Sequence, residues 1–157
     1  MAATSCKAVF TGEILTWPGG YHHFNEWRKD GSWKKRWLRV LQLHRRLLDL
    51  SSIQLDGRHT LAKNGGAAIG YQGRKAARTT NLLFLADNSG QKEEAEDQYF
   101  DTELYRQRTA IERTNSWLDS FKILLVRFET SAENWLAFHF LAFTVLLLRK
   151  IPPDYKL

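Results

Sequence analysis

The sequence predicts an α/β fold dominated by helices, with a small strand pair in its first half. Apolar residues recur at helical spacing in segments 32–48 and 102–121, and 135–148 is apolar almost throughout. Between the first two the period changes, since Ile53 and Leu55 alternate with polar Ser52 and Gln54. A second apolar run, Asn81 to Asp87, leads into Asn88-Ser-Gly90, which has the chemistry of a tight hairpin turn.

Residues 1–20 carry little pattern, and Trp17-Pro-Gly-Gly20 reads as a turn before a helix that begins near Tyr21 and stops at Gly31. Ser32 is placed to cap a second helix with an apolar stripe of Trp33, Trp37, Val40, Leu41 and Leu48. That stripe leaves Lys34, Lys35, Arg36, Arg39, Arg45 and Arg46 on the other side, so the chain opens with a basic helical hairpin. Contact with DNA phosphates and a merely solvated face account for that charge equally well. The first strand is expected to end at Asp56, with Gly57 turning the chain. Residues 62–80 hold Gly65, Gly66, Gly70 and Gly73 without the spacing of a phosphate loop, and Arg74, Lys75 and Arg78 there read as facing a phosphate backbone. After the hairpin turn a third strand is due, yet Gln91-Lys-Glu-Glu-Ala-Glu-Asp97 is too charged to bury a sheet face. Thr102 can then cap a helix running through Glu112 toward Phe121, with Leu104, Ile111, Leu118 and Phe121 on its apolar side. Ile123 to Phe128 continues that helix or forms a short buried segment. Ser131 and Asn134 precede a final helix, which Arg149 and Lys150 favour at its carboxyl end and Pro152-Pro153 stop.

A chain of 157 residues, 43% apolar, is one typical domain and can build a core. The formal charge of +6 and a pI near 9.6 imply attraction to polyanions without choosing among them. A lone Cys6 makes no intrachain disulfide, so a reducing cytoplasm is the simplest setting. Trp135 to Leu148 is the one candidate membrane segment, but it is about 14 residues long and interrupted by His139 and Thr144, whereas a span needs about 20. It reads as a buried helix. His22, His23, His44, His59 and His139 have no zinc spacing, and no Ser/His or Cys/His pairing rises above chance. The tryptophans read as core and helix-packing residues rather than base-stacking platforms.

Two acids carry the functional reading. Leu55-Asp-Gly-Arg-His-Thr-Leu-Ala-Lys-Asn-Gly-Gly66, around Asp56, resembles the first acidic motif of bacterial insertion-sequence transposases with an Asp-Asp-Glu active site and a ribonuclease H-like fold. Tyr105-Arg-Gln-Arg-Thr-Ala-Ile-Glu112-Arg113 resembles their Tyr-x2-Arg-x3-Glu signature. The likeness runs in two blocks, Tyr21 to Gln91 and Tyr99 to Ile151. It implies that Asp56 and Glu112 are the first and third catalytic acids and metal ligands for Mg2+ or Mn2+, with Tyr105 and Arg108 as accompanying signature residues. The expected DNA contacts are Lys34, Lys35, Arg36, Arg74, Lys75 and Arg78 from their charge, with Arg108 and Arg113 in the signature segment, and the resemblance implies that the partner is double-stranded DNA at the element's terminal inverted repeats. Phosphoryl transfer by such a site needs several carboxylates converging on a pair of divalent ions.

The departures matter as much. The family's frequent basic residue seven positions after the Glu is Asp119 here, and its segment bearing the second Asp is missing between the blocks. Asp87, Asp97 and Asp101 lie nearby without the family's motif around them. The expectation is therefore a truncated ribonuclease H-like fold with a remnant β-hairpin, in three parts: a DNA-binding helical region 1–49, a first part of the catalytic domain 50–91, and its helical last part 92–157. A transposase inactive through an internal deletion is the primary reading. A non-catalytic DNA-binding protein that interferes with an intact transposase, and a pseudogene product, are the alternatives. The final helix, 134–149, is expected to pack on the Glu112 helix and the hairpin, leaving a strand edge and apolar faces that favour self-association or a partner.

Overall fold

The structure is a computed structural model that describes residues 8–10, 13–15, 17–51, 53–87 and 102–151; within these, the side chains of 8–10, 13–15, 17 and 102–109 are not described. Strands β1 (Ala8–Phe10) and β2 (Glu13–Leu15) pair antiparallel. Helix α1 spans Trp17–Lys29, so Trp17-Pro-Gly-Gly20 is its first turn and not a turn that precedes it. A proline there costs nothing, because the first N–H groups of a helix have no intrahelical acceptor in any case. Gly31, at φ 74°, reverses the chain in the left-handed region. Helix α2 (Ser32–Leu43) follows, with Gly31 and not Ser32 at the cap position. The carboxylate of Asp30 supplies the missing acceptor by taking the Ser32 N–H at 2.8 Å. The helix stops at Leu43 and tightens into a 3-10 turn, Arg45–Leu47, so extended Leu48 is not part of its stripe.

Strands β3 (Ile53–Ala62), β4 (Gly70–Gln72) and β5 (Ala77–Asp87) are antiparallel neighbours, and β6 (Val126–Arg127) joins β3 in parallel to give the order β4-β5-β3-β6. Two expectations fall here. Asp56 does not end its strand, and Gly57 makes no turn: both are mid-strand, opposite Phe84 and Leu83. Gly57 serves a close approach instead, since a Cβ there would lie 3.1 Å from the Leu83 Cδ2. Part of the glycine-rich stretch is itself a strand, β4, so the remnant is a four-stranded sheet and not a bare hairpin. The expected turn at 88–90 and the charged stretch 91–97 lie outside the described residues.

Helix α3 spans Thr102–Asp119, so Thr102 is its first residue rather than its cap and Phe121 lies extended beyond its end; Leu118 is fully buried. The apolar run 123–128 neither continues α3 nor is buried throughout: beyond a break at Ser120 and extended Phe121 comes a single helical turn, α4 (Lys122–Leu125), and then β6, with Leu124 and Arg127 buried and Ile123, Leu125 and Phe128 exposed. Helix α5 spans Ala132–Lys150, capped by the Ser131 hydroxyl accepting the Asn134 N–H at 3.3 Å. No helix of the described residues is long and apolar enough to cross a membrane.

The core gathers Phe84 of β5, Leu118 of α3, Leu124 of α4, and Trp135 and Ala142 of α5. Helix α5 thus meets both α3 and the sheet, as expected, and Lys150 adds a cation over the Trp117 ring at 4.1 Å. Its more extensive packing is against α2, which the sequence reading did not foresee. Phe138 also stacks on Phe24 of α1 at 4.3 Å. Beneath the sheet, fully buried Arg127 donates to Thr80 Oγ1 (2.9 Å) and to the carbonyl oxygens of Glu129 (2.7 Å), Ala67 (2.8 Å) and Thr130 (3.2 Å). It fastens β5, the loop after β3 and the entry to α5 to one another. Its charge is thus spread over oxygen acceptors, as a buried guanidinium requires.

Candidate functional site

Alternation along β3 sends Gln54, Asp56, Arg58 and Thr60 to one side of the sheet, and the central pair of these meets α3. Asp56 Oδ2 accepts from the side-chain amide of Asn115 at 2.9 Å, and its Oδ1 accepts from the Gly57 N–H at 2.8 Å. One step along the strand, Arg58 donates to the Asn115 carbonyl oxygen at 3.5 Å and to Asp119 Oδ1 at 2.6 Å. The strand is therefore clamped along the last two turns of α3. Glu112 is one turn before Asn115, and residues three apart share a helix face. The structure thus brings Asp56 to the helix that carries Glu112, with Glu112 itself solvent-exposed.

Asp119 serves the clamp, pairing with an arginine on the strand. Asn115 and Arg58 were missed by sequence reasoning, because a linear pattern does not say which turn of a helix a strand will meet. Gln54 was missed as well. It is buried in the same row as Asp56, and among the described residues neither of its amide atoms has a hydrogen-bond partner. Its only signal was a polar residue two before the acid on a strand.

A two-metal centre needs more than this. Each Asp56 oxygen already accepts a hydrogen bond, and among the described residues no three His, Cys, Asp or Glu side chains are grouped to hold a metal ion. The donors described do not fit such a centre. Asp87 does close a strand, but it is out of row with Asp56 on the sheet, and its Oδ2 accepts the Asp49 N–H at 3.1 Å. Asp97 and Asp101 lie outside the described residues.

The basic residues occupy three elements. Lys34, Lys35 and Arg36 are exposed on α2, with Lys35 donating to the Asp30 carbonyl oxygen at 2.9 Å. Arg74, Lys75 and Arg78 are exposed at the β4–β5 connection, where Lys75 Nζ donates to the His59 carbonyl oxygen at 3.1 Å. Arg113 is half-buried on α3, and Tyr105 and Arg108 are on that helix with side chains outside the description. Lys150 has a lowered pKa, chiefly through burial; Asp87 opposes the shift and Arg113 adds to it. The tryptophan reading holds for Trp135, which is buried, and for half-buried Trp33, Trp37 and Trp117, but not for Trp27, which is 39% exposed.

A family profile described as the transposase DDE domain matches residues 25–148. No curated protein and no solved structure matches the chain. The matched span takes in α2, the strand of Asp56, the helix of Glu112 and nearly all of α5, so the chain belongs to the DDE transposase family of insertion sequences.

Proposed function

We propose that this chain is an insertion-sequence transposase that retains DNA binding and lacks strand cleavage and transfer, an internal deletion having removed the segment with the second catalytic Asp. The observation that carries this reading is the clamp between β3 and α3. It holds the first acid, Asp56, against the helix of the third, Glu112, with the Asn115 side-chain amide and the Gly57 N–H on the Asp56 oxygens and Arg58 paired with Asp119 beside them. Members of the family generally use divalent ions, and Mg2+ or Mn2+ would be the natural choice for oxygen donors. Two carboxylates do not supply what an in-line displacement on DNA requires. What is left is electrostatic. The exposed lysines and arginines of α2 and of the β4–β5 connection neutralise phosphates at the element's terminal inverted repeats, in the cytoplasm, and a chain that occupies those ends without cutting them competes with an intact transposase.

The test uses the purified chain and duplex DNA carrying an element end. No nicking or joining is expected with Mg2+ or Mn2+, whereas binding should fall steeply with salt. Replacing Arg74, Lys75 and Arg78 together by Ala should reduce the slope of log K against log salt by about 3. Metal-dependent nicking that disappears in Asp56→Ala would overturn the loss of catalysis. Binding indifferent to salt would overturn the phosphate contacts.

A further inference from the structure

The α1–α2 hairpin carries an exposed aromatic and cationic column. His23 and Trp27, one turn apart on α1, stack with ring centroids 6.0 Å apart and planes inclined by 29°. The guanidinium carbon of Arg36, from α2, lies 5.6 Å from the Trp27 centroid. All three side chains are exposed. The column is nevertheless held in place, because Trp33 meets Trp27 edge-on at 5.4 Å and is itself fixed by donating its Nε1–H to the Phe24 carbonyl oxygen at 3.2 Å. Phe24 is buried against Phe138 of α5, so the platform is anchored to the core through its second layer.

Charge surrounds the column. Lys34 and Arg39 are exposed on the same helix as Arg36, and among the described residues neither has an acidic partner. By contrast Arg28 pairs with Glu133 and Lys29 with Glu26, while Asp30 accepts the Ser32 N–H and lies in the field of Lys35 and Arg36. Flat π-systems flanked by unpaired cations suit a nucleic-acid strand. They suit one kind of strand best: in a duplex both faces of each base are covered by its neighbours, whereas an unpaired base offers a free face to an aromatic ring or guanidinium plane.

We propose that the column His23, Trp27 and Arg36, flanked by Lys34 and Arg39, binds unpaired nucleobases of single-stranded or frayed DNA. This rests on the DNA-binding reading above and deepens it, giving the chain a second mode of contact with DNA wherever bases are unpaired. Stacking is indifferent to base identity, so the site should show little sequence preference.

The experiment measures fluorescence anisotropy of a labelled oligo-dT strand and of a labelled duplex of equal length, at one fixed salt concentration. Trp27→Ala should weaken oligo-dT binding by about tenfold while duplex binding changes by no more than about twofold. Trp27→Phe should restore most of the loss, and His23→Ala, at the exposed end of the column, should act in the same direction as Trp27→Ala. If Trp27→Ala lowers the melting temperature, the His23→Ala result decides. Equal weakening for strand and duplex, or no weakening of either, overturns the proposal. So does Trp27-dependent binding to anionic vesicles without binding to oligo-dT, which would assign the column to a membrane surface. If the wild-type chain binds neither strand nor duplex, the DNA-binding reading fails first, and this inference with it.

Discussion

His139 is 1% exposed, and its Nδ1 lies 2.9 Å from the Trp135 carbonyl oxygen. Burial pushes its pKa down to about 4; the bond to the Trp135 carbonyl opposes this, and the charge of Arg58 reinforces it. The unfolded chain, with an ordinary imidazole near 6.5, therefore binds a proton that the folded chain refuses between those values. Stability is complete above pH 6.5 and is lost as pH falls toward 4, with about 2 kcal/mol gone between pH 7 and pH 5. Urea unfolding at the two pH values checks this, and His139→Gln should flatten the dependence. That a histidine in an apolar run packs inside the core was legible from the run itself. Arg127 was not: it stands in another apolar run, and the oxygens that receive its protons come from residues 67, 80, 129 and 130, which no local pattern connects. The Asn115 to Asp56 bond was hidden for the same reason, although the acid it holds was found from its motif.

The helices were legible because their signals are local. Ser131, with its hydroxyl three residues ahead of Asn134, marks the start of α5, and the apolar periodicity through Leu118 marks α3. Strands were less so, since their extent depends on pairing. Nothing in 62–80 announces β4, which exists because β5 continues back to Ala77 and offers an edge. The loop between β3 and β4 gives a sharp test of this tertiary control, because its two adjacent glycines play different parts. Gly66 has φ 145°, and a Cβ there would stand 2.3 Å from the Thr130 carbonyl oxygen, whereas a Cβ at Gly65 meets nothing within 4 Å. Gly66→Ala should cost about 3 kcal/mol, from the disfavoured dihedral together with the displaced backbone that Arg127 holds. Gly65→Ala should stay within about 0.5 kcal/mol of wild type. Chemical denaturation of the two variants compares them directly, and equal losses would mean that the loop is not seated against residue 130 as described.

At the level of the molecule, the sheet is covered on one side by α3 and the core, while its other side presents Ile53, Leu55, Leu83 and Leu85, each between 54% and 68% exposed. Leu55 and Leu85 are direct cross-strand partners, so the patch is continuous. It borders a groove of about 550 Å³ lined by Leu47, Leu50, Phe140 and Leu146 among others. Among the described residues, β4 pairs only with 77–79 and β6 only with 61–62, so most of the outer edges of β3 and β5 have no strand beside them. An unpaired edge beside a bare apolar face invites another chain to add to it. The alternation at Ile53 and Leu55 identified the strand, but the sequence alone did not say that its leucines would face outward while Gln54 faced in. Sedimentation velocity over a range of concentrations should show self-association, and Leu83→Thr with Leu85→Lys should shift the protein to monomer while far-ultraviolet circular dichroism stays unchanged. The substituted side chains contribute nothing to the core cluster, so loss of association without loss of fold would identify the outer face as the contact. A wild-type chain that stays monomeric at high concentration and melts cooperatively would show instead that the covered side of this small sheet suffices to hold it.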